Sequence, residues 1–365
     1  MGAYHAKCLA SLPNVDLVAV CDLDGALADK VSAQCGASAG AGEPPVPYTD
    51  YAAMLREARA DIVGIATPNR LHCEMTLAAL EAGARAIYCE KPIAVDLGEA
   101  RRMVDACRAA GVPLIFNHQR RTGPDFAWMR EQIEAGTVGE VYLIRGTCAG
   151  DMLSDGTHLV DSVLYLTGDA EWDWVFAAHH RAPKGDQTGG TDRANGGGYD
   201  KVSGWRFGHP VEDGMMAVVE MESGLRVELL TGDLSQPGRP YHDIEVIGTE
   251  GSLWRSGDRG EHNLFRRTAG GWESVAGVPS RRDLVREAYA RTVELVNEGK
   301  PDSEHPMGSP YAMRGFELLM GAYESARTRT IVRRPVAQEN YPLAVELGLA
   351  GTATTRSAQT CTEQA

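Results

Sequence analysis

The chain has 365 residues, long enough for two domains with buried cores. Its 43% hydrophobic and 24% charged residues match a globular protein, and 36 Lys plus Arg against 50 Asp plus Glu give a net charge of −14. That balance argues against a nucleic-acid surface or an anionic-membrane face, and no apolar run reaches the roughly 18 residues of a membrane span. The start, Met1-Gly2-Ala3-Tyr4-His5, lacks the charged-then-apolar pattern of a secretory signal. Eight cysteines (Cys8, Cys21, Cys35, Cys73, Cys89, Cys107, Cys148, Cys361) contain no C-x-x-C pair and read as thiols of a cytoplasmic protein, not as disulfides or a zinc site.

A strand is predicted over 15–21 (VDLVAVC), then a helix over 25–35. Strands over 61–66, 86–89 and 112–117 alternate with helices over 71–82 and 97–110. This rhythm predicts βαβ units in a doubly wound parallel sheet of the Rossmann type, with ligands at the carboxyl ends of its strands. After residue 118 the rhythm changes. A helix over 126–135, a strand over 140–147 and a helix over 157–166 precede strand-like runs at 174–179, 215–221, 226–231 and 243–247. Consecutive strands with Gly turns, as at Ser223-Gly224 and Glu250-Gly251, predict a largely antiparallel open sheet in an α+β domain. Long amphipathic helices over 282–298 and 309–327 follow. The predicted layout is a dinucleotide-binding domain at 1–118, a substrate and oligomerisation domain at 119–335, and a tail at 336–365 whose last ten residues read as disordered. The Gly-rich stretch 184–209 reads as a mobile loop.

Asp22 stands at the end of the strand over 15–21, about 20 residues beyond Gly2. A dinucleotide fingerprint puts a ribose-binding acid there; the alternative is a strand-end turn residue. No Lys or Arg in Asp22-Leu23-Asp24-Gly25 is placed to hold a 2′-phosphate, which favours NAD over NADP. The first strand and first two glycines of such a fingerprint would lie before Met1. The expectation is therefore an internal Met1 and a physiological start about 10–25 residues earlier.

Met1-Gly2-Ala3-Tyr4-His5, Ala66-Thr67-Pro68-Asn69 with His72, and Cys89-Glu90-Lys91-Pro92 occur in this order. Together with Gln119-Arg120-Arg121 and Ile247-Gly248-Thr249-Glu250-Gly251-Ser252, they make the chain resemble the Gfo/Idh/MocA oxidoreductases over about residues 1–335. The resemblance implies a Rossmann domain with Gly2, Thr67, Pro68, Asn69, His72, Glu90 and Lys91 around NAD. It also implies a second domain whose open sheet makes oligomer contacts, in a dimer or tetramer.

Lys91 follows an apolar strand and precedes Pro92, which restricts its backbone. An ammonium there can stabilise a developing alkoxide during hydride transfer; the alternative is a solvated surface lysine. The resemblance places Glu90 near the cofactor and beside Lys91, and makes His158 in Gly156-Thr157-His158-Leu159-Val160-Asp161 the catalytic histidine. Imidazole titrates near neutrality, which suits removal of a hydroxyl proton. On a helix starting near Ser154, the side chains of Ser154, Asp155 and Asp161 can each approach His158. Many family members carry Asp where this chain has Ser154, so Asp155 either orients His158 from one place later or the acidic role is absent.

Arg120 and Arg121 open the crossover between the domains and can meet substrate oxygens, or serve as interface residues. His179 and His180 point to opposite strand faces, which speaks against shared metal ligation. Tyr199, Trp205, Arg206 and His209 are candidates for a lid over a sugar site, or belong to an irregular surface loop. The expected function is NAD-dependent hydride transfer at a secondary alcohol or ketone of a sugar, cyclitol or related polyol. The alternatives are an NAD-dependent glycosidase and a non-catalytic sugar-sensing relative.

Overall fold

The strand expected over 15–21 pairs only at its end. The computed structural model describes residues 1–38, 43–181, 204–235, 241–257, 263–278 and 283–349. Tyr199, most of the 184–209 stretch and the end of the tail lie outside the described residues. Helix α1 (Gly2–Ala10) leads to β1 (Ala19–Cys21) and α2 (Gly25–Ser38). Two further elements follow that the sequence pattern does not reveal, β2 (Val46–Tyr48) and α3 (Tyr51–Ala58). The strand is only three residues long and contains Pro47, which blunts the β signal. Asp50 starts α3, its carboxylate accepting the Ala52 N–H at 2.8 Å.

Next come β3 (Ile62–Ile65), α4 (His72–Glu81), β4 (Ala86–Cys89), α5 (Leu97–Ala110) and β5 (Leu114–Phe116). All ladders among these strands are parallel, but they form two sheets, β1–β2 and β3–β4–β5, where one was expected. The break falls at α3, which joins β2 to β3. Strands β4 and β5 are buried along their whole length, as parallel strands covered on both faces must be.

The chain continues with α6 (Pro124–Glu134), β6 (Val141–Cys148), α7 (Gly156–Leu166) and β7 (Trp172–His180). A two-residue hairpin pair follows, β8 (Trp205–Arg206) and β9 (His209–Pro210). Then come β10 (Gly214–Met221), β11 (Arg226–Thr231), β12 (Asp243–Gly248), β13 (Ser252–Ser256), β14 (Leu264–Thr268) and β15 (Gly271–Ser274).

Helix α8 (Leu284–Glu298) is capped by Asp283, which accepts the Arg286 N–H at 3.3 Å, and ends at Gly299 in the left-handed region. The chain divides into two compact units. The first comprises Met1–Ala94, Glu99–Thr122 and Arg282–Ala312; the second comprises Val95–Gly98, Gly123–Arg281 and Met313–Ala365. Residues 282–312, assigned from sequence to the second domain, thus cluster with the first unit. Their apolar face is the reason: Val285, Ala288, Tyr289 and Met307 share a core with Cys8, Leu12, Tyr88 and Ile115.

The second unit is completed by α9 (Ser309–Thr328), β16 (Val332–Arg333) and α10 (Pro342–Glu346). Its nine-stranded sheet has the order β15-β14-β13-β12-β6-β11-β10-β7-β16, antiparallel throughout except between β11 and β6. Helix α7 lies close on this sheet, because a Cβ at Gly146 of β6 would sit 2.7 Å from Leu159 Cδ1. Among the described residues the opposite face is open. Phe176, Met216 and Trp272 are exposed there, and a charged row runs across it, with Arg145 bonding Glu228 at 2.8 Å and reaching Glu245 at 3.8 Å.

No described helix is long and apolar enough to cross a membrane.

Candidate active-site residues

In the first unit the candidates cluster at the carboxyl ends of three parallel strands. Asp22 directly follows β1 and is exposed, its carboxylate accepting the Asp24 N–H at 3.0 Å. After β3, half-buried Thr67 and exposed Pro68 lead into a short 3-10 turn, Asn69–Leu71. Asn69 is 3% exposed, and neither its amide nitrogen nor its amide oxygen has a hydrogen-bond partner among the described residues. A buried amide in that state is costly unless a further group meets it.

His72 takes a different place from the one expected of a cofactor contact. It is fully buried, with Nε2 3.0 Å from Thr67 O and Nδ1 2.9 Å from Pro92 O. The ring thus braces the turn after β3 against the chain after Lys91. Burial pushes its pKa below the ordinary value, against the pull of both carbonyls and of Glu90.

After β4, Glu90 is buried and Lys91 half-buried. Glu90 Oε2 accepts the Lys91 N–H at 3.1 Å, and Oε1 accepts from His5 Nε2 and Asn117 Nδ2, each at 2.8 Å. Burial alone would raise the Glu90 pKa. The hydrogen bond and charge of His5, then Asn117 and Lys91, outweigh it and bring the value down to about 2. Glu90 is therefore a buried anion at neutral pH. Gly2, at the exposed start of α1, lies beside the turn after β3, where a Cβ on it would be 3.9 Å from Ala66.

Arg120 and Arg121 are both buried, in the turn Gln119–Thr122, and the Arg121 guanidinium lies 5.3 Å from the Tyr311 ring centre.

In the second unit the loop 151–155 sets up α7. Asp151 accepts the Ser154 N–H at 2.7 Å, and Asp155, in place of Ser154, occupies the N-cap position. The Asp155 carboxylate does not cap the helix. It bonds Arg206 and accepts the Tyr241 hydroxyl at 3.0 Å. Arg206 also bonds Asp151 at 2.8 Å, so one guanidinium from β8 ties both carboxylates. Of the two readings of Asp155, these bonds go against the one in which it orients His158: a cation and a phenol from other segments hold the acid.

Ser154, His158 and Asp161 are each buried. The His158 ring lies 5.9 Å from the His242 ring at 72°. Glu212, fully buried before β10, accepts the Met152 N–H at 2.6 Å and the Tyr323 hydroxyl at 2.7 Å. Burial and then the Asp151 charge push Glu212 up to about 7. Lys91 belongs to the first unit and His158 to the second.

Sequence reasoning missed His242, Tyr241, Glu212 and Tyr289, whose partners lie far away along the chain. For Tyr289 a signal existed in Gly64, a glycine inside a strand pattern. His179 bonds Glu346 at 2.8 Å, on the far side of the second unit's sequence.

The donor set fits a dinucleotide. An exposed carboxylate after β1 suits a ribose diol, and the partnerless Asn69 amide offers both a donor and an acceptor after β3.

Comparison with known proteins agrees. Residues 1–118 match the oxidoreductase family with NAD-binding Rossmann fold, GFO/IDH/MocA, and residues 149–254 match the GFO/IDH/MocA C-terminal domain. The D-glucoside 3-dehydrogenase of Escherichia coli is 28% identical over 241 residues, 60% of this chain and 63% of that enzyme. The chain spans about 60% of the length of several curated relatives. The scyllo-inositol 2-dehydrogenase (NAD(+)) of Bacillus subtilis is 28% identical over 324 residues, 82% of this chain and 84% of the enzyme. Levoglucosan dehydrogenase, solved in complex with NADH and levoglucosan, superposes with a TM-score of 0.72 at 22% identity, over 92% of this chain and 97% of that one.

Proposed function

The chain belongs to the Gfo/Idh/MocA oxidoreductases, and from that premise we propose that it is an NAD-dependent dehydrogenase acting on a secondary alcohol or ketone of a sugar, cyclitol or related polyol. The observation that carries this reading is the set of groups at the carboxyl ends of β1, β3 and β4: the exposed Asp22 carboxylate, the partnerless Asn69 amide, and Lys91 on its anchored Glu90. The relatives named for glucosides and inositol support the substrate class.

When bound, NAD supplies the hydride acceptor. Asp22 would hold the adenosine ribose, with Gly2, Thr67, Pro68 and Asn69 along the cofactor and Glu90 near its nicotinamide end. The Lys91 ammonium donates a hydrogen bond to the reacting oxygen and stabilises the alkoxide that develops there. His158 takes the hydroxyl proton, and Asp161, three residues on along the same helix, orients it. Ser154, Arg120 and Arg121 are assigned to the substrate oxygens.

The free thiols of all seven described cysteines support a cytoplasmic location. The exposed Phe176, Met216 and Trp272 on one face of the nine-stranded sheet support a homodimer or tetramer.

The test is a fluorescence titration with NADH and NADPH, followed by a panel of sugars and cyclitols. Preferred NADH binding and net reduction of NAD by a panel member are expected. Cleavage of a glycoside without net NADH would replace dehydrogenation by elimination chemistry, and sugar binding without turnover would remove the enzyme reading.

A further inference from the structure

We infer that His5 and Tyr289 are positioning residues for Lys91, acting through the Glu90 carboxylate. The inference rests on Lys91 being the group that polarises the reacting oxygen. Glu90 is the hub: one oxygen accepts the Lys91 backbone N–H, the other accepts from His5 and Asn117. A carboxylate only accepts, so the hydrogen between His5 Nε2 and Glu90 is on the imidazole. The other ring nitrogen, Nδ1, meets the Tyr289 hydroxyl at 2.9 Å. Asn117 is fixed in turn, because its oxygen accepts the Tyr88 hydroxyl at 2.7 Å. The Tyr88 and Tyr289 rings stack with centres 4.1 Å apart. Burial holds both phenols protonated well above their ordinary range, so each remains a hydrogen-bonding neutral group.

Four elements distant in sequence, α1, β4, the end of β5 and α8, thus converge on the residue before Lys91. A second observation points the same way. A Cβ at Gly64 in the middle of β3 would sit 2.8 Å from the Tyr289 hydroxyl oxygen, so the absence of a side chain there leaves the space this hydroxyl fills. A core contact alone would need the Tyr289 ring and not its oxygen. The space left for the oxygen, and its bond to a histidine that bonds Glu90, mark the hydroxyl as the functional end.

The experiment uses the full chain with His5→Leu, His5→Gln, Tyr289→Phe, Gly64→Ala and Lys91→Ala, read by steady-state kinetics, NADH titration and amide exchange at Lys91. Tyr289→Phe keeps the ring stack, and His5→Gln keeps a donor for Glu90. Expected are a kcat lowered about 10- to 100-fold in His5→Leu and about 3- to 10-fold in Tyr289→Phe and Gly64→Ala, with KM and the NADH dissociation constant within about 3-fold. The Lys91 amide exchanges faster in all three, and His5→Gln recovers part of kcat. A folded Tyr289→Phe with wild-type kcat and wild-type exchange overturns the inference, even where His5→Leu fails to fold. Should Lys91→Ala turn over normally, the role of Lys91 falls separately, and the exchange measurement alone decides whether the tether exists.

Discussion

The Arg206 guanidinium bonds the Asp155 carboxylate at the N-cap position of α7, the helix that carries His158. The same guanidinium nitrogen bonds Asp151, whose side chain has no exposure at all. One cation therefore compensates two carboxylates in the loop that aims the histidine. Removing it leaves buried negative charge that meets neutral hydrogen-bond donors, the Ser154 N–H and the Tyr241 hydroxyl, in place of that cation.

Arg206→Ala should lower stability by about 3 kcal/mol. Chemical denaturation measures this, and the double variant with Asp155→Asn should recover part of the loss, since one of the two carboxylate charges is then gone. Additive losses would mean that the two side chains are not energetically coupled.

His158→Phe should cut turnover by about 10²- to 10⁴-fold while NADH binding is retained. Rapid-mixing kinetics with a substrate from the polyol panel provides the reading. A near-native rate would remove His158 from the chemistry and turn attention to His242, whose ring lies beside it.

Asp22→Ala should weaken NADH binding about 10-fold, the loss expected for a charged hydrogen bond to the ribose diol. Binding of NADPH should change less, because a 2′-phosphate is repelled by the wild-type carboxylate. Equal losses for both cofactors would assign Asp22 to the strand-end turn alone.

Glu212 sets a pH dependence of stability. Its folded pKa, about 7, lies above the ordinary 4.5, so the folded chain binds more protons between those values than the unfolded chain does. Its contribution is full below about pH 4.5 and is lost as pH rises to about 7. Melting curves of Glu212→Gln against wild type should therefore diverge across that window, with the variant relatively more stable at pH 8. The amide keeps an acceptor for the Met152 N–H. Parallel curves would show that Glu212 does not titrate there.

The open sheet face should mediate self-association. Phe176→Lys together with Met216→Lys places two charges among its exposed apolar residues and should shift the mass in light scattering to that of a monomer. An unchanged mass would move the contact elsewhere.

Much of the first unit was legible because local periodicity decides it. Strands 86–89 and 112–117 are continuous apolar runs, and the structure buries both along their paired lengths. β2 escaped because it is three residues long and contains a proline. The residue motifs single out Glu90, Lys91 and His158 by position, yet say nothing of their spatial neighbours. Asp155 and Arg206 are 51 residues apart, and His5 and Tyr289 are 284 apart, so no spacing rule links them. One of the two readings of Asp155 has it orient His158, because helical spacing considers only neighbours on one helix. The parallel β6–β11 pair within an otherwise antiparallel sheet was equally hidden, since ladder direction is set by the chain path between strands.

The return of α8 to the first unit has a consequence for synthesis. A chain emerging from the ribosome holds His5, Glu90 and Asn117 by residue 117, but the phenol of residue 289 is still untranslated. At about 5–20 residues per second, the first unit waits on the order of 10–40 seconds for residues 282–312. During that interval the apolar patch formed by Cys8, Leu12, Tyr88 and Ile115 lacks its covering helix. The nascent first unit thus carries an uncovered apolar patch until residues 282–312 are made, and strands β6 to β15 of the second unit, which lie between, are translated before the first can close.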